Sequence, residues 1–241
     1  MPVIGRFRKD NKVFFGTVDG DTVKSDSSEY KLSELTILSP TVPTKIVCIG
    51  LNYIDHANEL NYPIPKWPIL FIKPSTTVIG HMENIEYPTM SSRVEYEGEM
   101  AIIISERCKN VKDPEAVILG YTGINDVTAR DIQRKDVQWT RAKSFDTFAP
   151  IGPFITTDIN PGDARIETRV NGKTRQKSNT KNLIFDVNDL VRFISEVMTL
   201  NAGDVVATGT PYGVGELLIG DTVEIELEGA GVLSNNVIRE Q

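Results

Sequence analysis

Histidine and cysteine are scarce in this sequence, with only two of each among 241 residues. Two histidines are too few for a histidine-rich zinc or copper site, so any metal site would rely on carboxylate oxygens and a hard cation. Cys48 and Cys108 lack metal-binding or redox spacing, and we expect both to be reduced, unpaired thiols. These two shortages direct attention to the acidic residues.

Excess positive charge and long apolar runs are also missing. The net charge is −7 and the isoelectric point is near 5.0, which argues against nucleic acid or an acidic membrane surface as a partner. The first residues contain no apolar segment of signal-peptide length, and no later run approaches the length of a membrane span. We therefore expect a cytoplasmic protein that does not bind membranes.

An acidic stretch, residues 95–99, runs directly into an apolar one, residues 100–104. Read as one strand, it places Glu95, Glu97 and Glu99 on one face. The opposite face would then contain Tyr96, Met100, Ile102 and Ile104. Three carboxylates on one face repel each other, so either water at an exposed edge or a cation in a cleft must offset that repulsion.

The N-terminal residues predict a small β subdomain over residues 1–42, in which 12–18 and 22–24 flank a hairpin turn at Asp19-Gly20-Asp21. Two prolines at Pro40 and Pro43 then favour a linker. The remaining residues, 43–241, form the second predicted domain.

The next segment predicts a buried strand over 45–50 and a short helix that contains His56 and Glu59. Residues three apart share a helix face, so the carboxylate could orient and charge-stabilise the imidazole as a general-base dyad, although an ordinary exposed pair is the alternative. The proline-rich segment 61–68 predicts a loop or lid. A strand over 69–72 follows it.

Asp126 has two open interpretations, as a helix N-cap or as a member of a functional row. If a helix begins there, Asp126, Arg130 and Gln133 lie along one face and could hold a metal and a carboxylated ligand. Lys143 is either a surface lysine or a partly buried ammonium suited to an enolate or carboxylate.

The C-terminal half predicts ordinary structural elements. Asn171-Gly172 is a strong hairpin signal, and Asp186 precedes an amphipathic helix. Short strands between Gly-Asp turns follow at 203–208 and 220–227. Many short strands and few helices predict a mainly β domain.

Several motifs together carry a family resemblance that covers nearly all of residues 45–238. They are Gly50-Leu51-Asn52-Tyr53 with His56-Ala57 and Glu59, Phe71-Ile72-Lys73-Pro74-Ser75, Tyr96-Glu97-Gly98-Glu99, Asn125-Asp126 with Ala129-Arg130-Asp131 and Gln133, Lys143-Ser144-Phe145-Asp146 with Pro150, and Thr208-Gly209-Thr210-Pro211 with Gly213 and Gly215. In this order they resemble the fumarylacetoacetate hydrolase family, in particular its acylpyruvase and 2-hydroxyhepta-2,4-diene-1,7-dioate isomerase-like members.

The resemblance implies an α+β, mainly β fold, with a mixed β-roll or β-sandwich catalytic domain after the small N-terminal subdomain. It implies that one divalent cation is coordinated by Glu97, Glu99 and Asp126, with magnesium as the first choice and manganese or calcium as alternatives. Glu95 would then be a neighbour rather than a ligand. A homodimer is also implied.

The resemblance also assigns residues around the substrate, a small 2-oxo acid. The implied substrate-binding residues are Arg130, Gln133 and Thr210, and the implied catalytic residues are His56, Glu59 and Lys143. The helix that carries His56 would be a lid over the bound ligand.

The implied activity is hydrolysis of the C–C bond of an acylpyruvate. His56, oriented by Glu59, would deprotonate a water that attacks the distal carbonyl, and the pyruvate enolate would leave onto the metal and Lys143. Enolate stabilisation also suits an isomerase or decarboxylase of hydroxymuconate-type diacids in aromatic catabolism, or an oxaloacetate decarboxylase. A third alternative is a non-catalytic metal-binding protein.

Overall fold

The structure is a computed structural model that describes residues 3–26 and 28–240. Among these residues strands far outnumber helices, which confirms the predicted α+β, mainly β class. Among the described residues, no helix is both long enough and apolar enough to span a lipid bilayer.

The strands are short and numerous, as the frequent turn signals predicted. They are β1 (Val3–Lys9), β2 (Lys12–Asp19), β3 (Thr22–Ser25), β4 (Ser28–Lys31), β5 (Thr36–Leu38), β6 (Lys45–Gly50), β7 (Ile69–Pro74), β8 (Val78–Ile79), β9 (Asn84–Tyr87), β10 (Val94–Tyr96), β11 (Gly98–Ile104), β12 (Ile118–Asn125), β13 (Thr128–Ala129), β14 (Ala149–Thr156), β15 (Arg165–Val170), β16 (Lys173–Asn179), β17 (Val205–Ala207), β18 (Gly215–Leu217), β19 (Thr222–Leu227) and β20 (Gly231–Arg239). The helices are α1 (Ile54–Leu60), α2 (Arg130–Lys135), α3 (Thr140–Lys143) and α4 (Val187–Val197), with 3₁₀ turns at Leu32–Glu34, Ser75–Thr77, Glu115–Val117 and Thr180–Asn182.

Three sheets organise these strands. The largest has the order β4-β3-β2-β1-β14-β12-β11-β17-β6-β7, with β5 added to β1 and β8 to β14. A five-stranded sheet has the order β16-β15-β19-β20-β9, and a three-stranded sheet has the order β13-β10-β18. Most neighbouring strands are antiparallel, while β17 pairs with β6 in parallel.

Separate apolar clusters fill the spaces between these layers. One face of the large sheet packs against α4, where Leu190, Val191 and Ile194 are fully buried. A second cluster lies between the two smaller sheets and includes residues of α2 and α3. The predicted cap of α4 is confirmed, because the Asp186 carboxylate accepts a hydrogen bond from the Asp189 N–H at 2.8 Å. Packing of the helix stripe, rather than helix propensity alone, stabilises α4.

The N-terminal strands form the predicted hairpin, since β2 pairs with β3 across Gly20 and Asp21. They share a small core around Phe7, Val18 and Val23. Strand β1 also pairs with β14, at Ile4 and Ile155, so the large sheet continues across both predicted domains. Residues 39–44 contain neither helix nor strand, and the division at residue 42 stays a prediction.

The acidic stretch differs from the single strand that we expected. Strand β10 ends at Tyr96 in the three-stranded sheet, and β11 begins at Gly98 in the large sheet. Glu97 lies at the break between them. Consequently Tyr96 packs in the cluster between the smaller sheets, whereas Met100 and Ile102 pack against α4. The prediction that these apolar side chains share one face was therefore wrong for Tyr96.

No helix begins at Asp126, so Asp126 is not a helix N-cap, and Asp126, Arg130 and Gln133 do not lie along one helix face. Asp126 follows the end of β12, and α2 begins only at Arg130, after the short strand β13. The Asp126 N–H donates to the Glu97 carbonyl at 2.8 Å, which holds this segment against the break in the acidic stretch. Asp126 is therefore on the same side of the molecule as Arg130 through tertiary hydrogen bonding, not through helical spacing.

Candidate active site

A cavity of about 600 Å³ opens between α1, α2, α3 and the ends of β6, β7, β10 and β11. Its walls bring together most of the side chains that the sequence singled out, together with apolar residues. The lining residues are Ile49, Gly50, Leu51, His56, Tyr62, Phe71, Arg93, Glu95, Glu97, Glu99, Arg130, Gln133, Arg134, Trp139, Lys143, Thr210 and Val214. Such a volume suits a small organic ligand.

Three carboxylates converge at the buried side of the cavity. Glu97 at the strand break, Glu99 on β11 and Asp126 after β12 each have a carboxylate oxygen within 4.8 Å of the others. All three side chains are buried. Hydrogen bonds from backbone N–H groups to side chains fix two of the three residues, since the Glu97 N–H donates to Asn125 Oδ1 at 3.0 Å and the Gly209 N–H donates to the Glu99 carboxylate at 2.7 Å.

Glu99 has fewer cationic partners for its negative charge than the other two carboxylates. Burial, reinforced by the nearby Asp126 and Glu97 charges, raises the pKa of Glu99 well above its usual range. Within the described residues, no lysine or arginine nitrogen pairs with Glu99, while Asp126 and Glu97 both have such partners. Three buried oxygen ligands with one uncompensated charge are the donor set that suits a hard divalent cation. The site could therefore hold one.

Two buried lysines flank the carboxylates. The Lys143 ammonium, 2% exposed, donates to Asp126 at 2.6 Å and to Glu97 at 2.8 Å. Burial by itself lowers an amine pKa, but Asp126 and Glu97 raise the pKa of Lys143 above its usual value. On the opposite side, Lys73 donates to Asp126 at 2.5 Å and to the Val127 carbonyl at 2.9 Å. Both lysines therefore neutralise charge that would otherwise be unpaired in the interior.

Arg130 lies at the start of α2 and joins several polar groups of the cavity. Its guanidinium donates to Glu95 at 2.6 Å and also bonds Glu97 and Gln133. The other Glu95 oxygen accepts from Arg93 at 2.6 Å. Burial by itself raises a carboxyl pKa, yet Lys143 and Arg130 hold the pKa of Glu97 well below its usual range. Because its two oxygens accept from Arg93 and Arg130, the Glu95 carboxylate links these two arginines and fixes the Arg130 side chain.

The predicted dyad forms on α1, where His56 Nδ1 lies 2.8 Å from a Glu59 oxygen. The second Glu59 oxygen accepts from the Gly213 N–H at 3.3 Å, and this contact joins α1 to the loop after β17. His56 lines the cavity and Glu59 does not. Because Glu59 takes Nδ1, the Nε2 atom of His56 is the nitrogen available to a ligand or water.

Thr210 also lines the cavity, but its hydroxyl is engaged in the interior. Thr210 Oγ1 donates to the Gly98 carbonyl at 3.0 Å and accepts from Gln176 at 2.8 Å. Gln176, 1% exposed, also donates to the Pro211 carbonyl and accepts from the Gly98 N–H and the Thr168 hydroxyl. One amide thereby connects the strand between Glu97 and Glu99 to the Thr210 loop.

Sequence reasoning missed some of these contacts. Lys73 follows four apolar residues in β7, and a lysine directly after such a run is a signal of an internal ion pair. Gln176 lies on β16 between exposed residues and carried no comparable signal. The roles of the predicted substrate-binding and catalytic residues stay predictions, although all of them except Glu59 line one cavity.

Comparison with known proteins agrees with the resemblance. Residues 45–238 match the family model described as "Fumarylacetoacetate (FAA) hydrolase C-terminal". The solved structure of 5-carboxymethyl-2-hydroxymuconate delta-isomerase from Mycobacterium smegmatis is 43% identical, with a TM-score of 0.94 and complete coverage of both chains. That of fumarylacetoacetate hydrolase from Exiguobacterium antarcticum is 34% identical, with a TM-score of 0.89 and complete coverage of both chains.

A curated relative extends the comparison. The mitochondrial oxaloacetate tautomerase of Xenopus laevis is 42% identical over 236 residues, which covers 90% of this chain and 74% of the relative. The family match covers well over half of the sequence, and the structural neighbours share the whole fold. This chain therefore belongs to the fumarylacetoacetate hydrolase family.

Proposed function

We propose that this protein is an enzyme that acts on small 2-oxo acids through their enolate form and hydrolyses the C–C bond of an acylpyruvate. The proposed cofactor is one divalent cation, magnesium in the first place, held by Glu97, Glu99 and Asp126. The observation that carries the proposal is that His56, held at Nδ1 by Glu59, lines the same cavity as Glu97, Glu99 and Lys143.

The cation, when bound, supplies positive charge that polarises a carbonyl and stabilises developing negative charge on oxygen. Lys143 adds a positive charge, because its ion pairs with Asp126 and Glu97 hold the ammonium at the cavity wall. Two of its three N–H groups bond Asp126 and Glu97, and the third is available to an enolate oxygen. Arg130 and Gln133 line the same wall and would orient the substrate carboxylate.

His56 supplies the proton transfer that hydrolysis requires. Glu59 at Nδ1 orients the ring, so Nε2 takes a proton from water. The water oxygen then attacks the distal carbonyl carbon of the acylpyruvate. When the C–C bond breaks, its electron pair stays with the pyruvate portion, which collects a proton, and the acyl portion leaves as a carboxylic acid.

A second candidate is a tautomerase, isomerase or decarboxylase of 2-oxo diacids, including oxaloacetate. Two relatives in the comparison, 42% and 43% identical, have a tautomerase or isomerase name. Tautomerisation and double-bond isomerisation pass through the same enolate and consume no water, so they need the carboxylates and Lys143 but no water-activating dyad. The two candidates therefore differ in what they require of His56.

The experiment follows the ultraviolet absorbance of the acetylpyruvate enol with magnesium, with a chelator control and pyruvate detection. Oxaloacetate enol decay is measured in parallel. Magnesium-dependent pyruvate release supports hydrolysis, and His56→Ala should abolish it. His81→Ala is the matched control, because His81 bonds the Ser234 N–H and does not line the cavity.

Each other outcome has a meaning. Oxaloacetate turnover that survives His56→Ala, without acetylpyruvate hydrolysis, would favour the second candidate. No turnover of either compound, with unchanged thermal stability on adding magnesium, would favour a non-catalytic protein. The proposed assembly is a homodimer, which light scattering on the purified protein tests.

A further inference from the structure

Arg134 lies on the side of α2 that lines the cavity. Arg130, Gln133 and Arg134 have the spacing i, i+3 and i+4, which places them on one helix face. All three line the cavity. The next residue, Lys135, does not line it and pairs instead with Asp131 at 3.8 Å. Two adjacent cations on one helix therefore have different surroundings.

The cations of the cavity differ in how fully their donors are used. Arg130 is bonded through three of its nitrogens. Arg93 uses only Nε, which donates to Glu95. Arg134 is exposed, and over residues 3–26 and 28–240 it takes part in no ion pair and no side-chain hydrogen bond. The cavity thus contains one guanidinium with all its donors free and another with most of them free.

The balance of charge around the cavity is positive. The cationic side chains that line it are Arg93, Arg130, Arg134 and Lys143, and the lining carboxylates are Glu95, Glu97 and Glu99. With all three carboxylates ionised, the four cations exceed the three anions by one, and a divalent cation at the carboxylates would raise the surplus to three. A substrate with two negative charges compensates more of this surplus than a substrate with one.

We propose that Arg134, assisted by the free N–H groups of Arg93, is a specificity-determining residue that binds a second carboxylate of the substrate. A guanidinium donates two parallel hydrogen bonds to a carboxylate, and this bidentate geometry gives both affinity and orientation. Phe71 and Trp139, with ring centroids 5.4 Å apart, offer an apolar wall to the carbon chain between the two carboxylates. The substrate class is then a 2-oxo dicarboxylate. This inference rests on the proposed function, because it takes the first carboxylate to lie near the cation site.

The test compares two ligands that differ only in the far carboxylate, 2-oxoglutarate and 2-oxopentanoate. Their dissociation constants are measured by calorimetry with magnesium present, so no turnover is needed. The wild-type protein should bind 2-oxoglutarate at least about tenfold more tightly, as one charge-assisted contact predicts. Arg134→Met should bring the two affinities within about twofold of each other. Lys135→Met removes the same unit charge one residue away and should keep the preference.

Three results would overturn the inference. One is a wild-type protein that does not prefer 2-oxoglutarate, including one that binds neither acid. Another is a preference for 2-oxoglutarate that Arg134→Met leaves intact, which would mean that Arg134 does not bind the far carboxylate. Equal loss of the preference in Lys135→Met would also overturn the inference, because long-range charge rather than contact would then explain it. Failure of the proposed function gives a different result, namely no turnover of acetylpyruvate or oxaloacetate. The ratio of the two dissociation constants can still be measured in that case, because calorimetry needs no turnover.

Discussion

Replacing Gln176 by methionine tests whether one buried amide sets the geometry of the carboxylates. Methionine has a similar volume, so the change removes hydrogen bonds with little change in packing. The amide makes four hydrogen bonds of 2.8–3.0 Å. The Gly98 N–H and the Pro211 carbonyl would remain buried without this partner. Each such group costs about 1–3 kcal/mol, so the two together predict a loss of about 2–6 kcal/mol in the free energy of unfolding.

The site should change as well as the stability. Gly98 lies between Glu97 and Glu99, so the loss of its hydrogen bond would loosen both carboxylates. Partners behind metal ligands typically contribute 10–100-fold in affinity, and we expect manganese to bind about tenfold more weakly to Gln176→Met. Urea unfolding gives the free energy, and calorimetric titration with Mn²⁺ gives the affinity.

Asn235→Leu is the matched control. Asn235 is also a buried amide, 1% exposed, and it donates to the Gly80 and Glu83 carbonyls at 2.8 Å. It should lose a similar free energy of unfolding but bind manganese as tightly as the wild type. If the two variants lose the same stability and keep the same manganese affinity, Gln176 stabilises the fold only, and the reasoning is refuted.

Two further predictions concern stability. A divalent cation at 100 times its dissociation constant should raise the free energy of unfolding by about 2.7 kcal/mol; Glu99→Gln should lose this gain and the exposed Glu196→Gln should keep it, and an equal gain in both would place the cation elsewhere. Burial raises the pKa of Asp131, but hydrogen bonds from Ser91 and Ser92 together lower it further, to about 2. Because the folded pKa lies below the ordinary value of 3.8, its contribution is present above about pH 4 and is lost as the pH falls through 2. Urea unfolding should therefore find Asp131→Asn about 1–2 kcal/mol less stable at pH 7, with most of this deficit gone at pH 2 and the remainder lost below it, whereas a deficit independent of pH would contradict this assignment.

The sequence was sufficient to predict those elements whose structure depends on residues close together in the chain. The Asn171-Gly172 turn formed as predicted, with φ values of 51° and 72° that these two residues tolerate better than others. The α4 stripe and its Asp186 cap were equally local. The grouping of Glu97, Glu99 and Asp126 was predicted only through the family resemblance, since nothing in their spacing brings residue 126 near residue 97.

Contacts between distant residues account for what the sequence did not reveal. The break at Glu97 and the late start of α2 depend on hydrogen bonds from Asp126 to Glu97 and from the Arg130 N–H to the Arg93 carbonyl. The burial of Lys73 depends on a carboxylate 53 residues further along the chain. No periodic pattern encodes such partners, because each is defined only when the sheets have assembled.

The burial of the carboxylates and the exposure of Arg134 have a consequence for how such a protein evolves. Substitution of an exposed residue usually changes the free energy of unfolding by no more than about 0.5 kcal/mol, whereas breaking a buried ion pair costs about 3–5 kcal/mol. Selection on stability therefore constrains the carboxylates and lysines strongly and position 134 weakly. If Arg134 recognises the far end of the substrate, a lineage acquires a new substrate preference by a single mutation while its reactive centre stays unchanged.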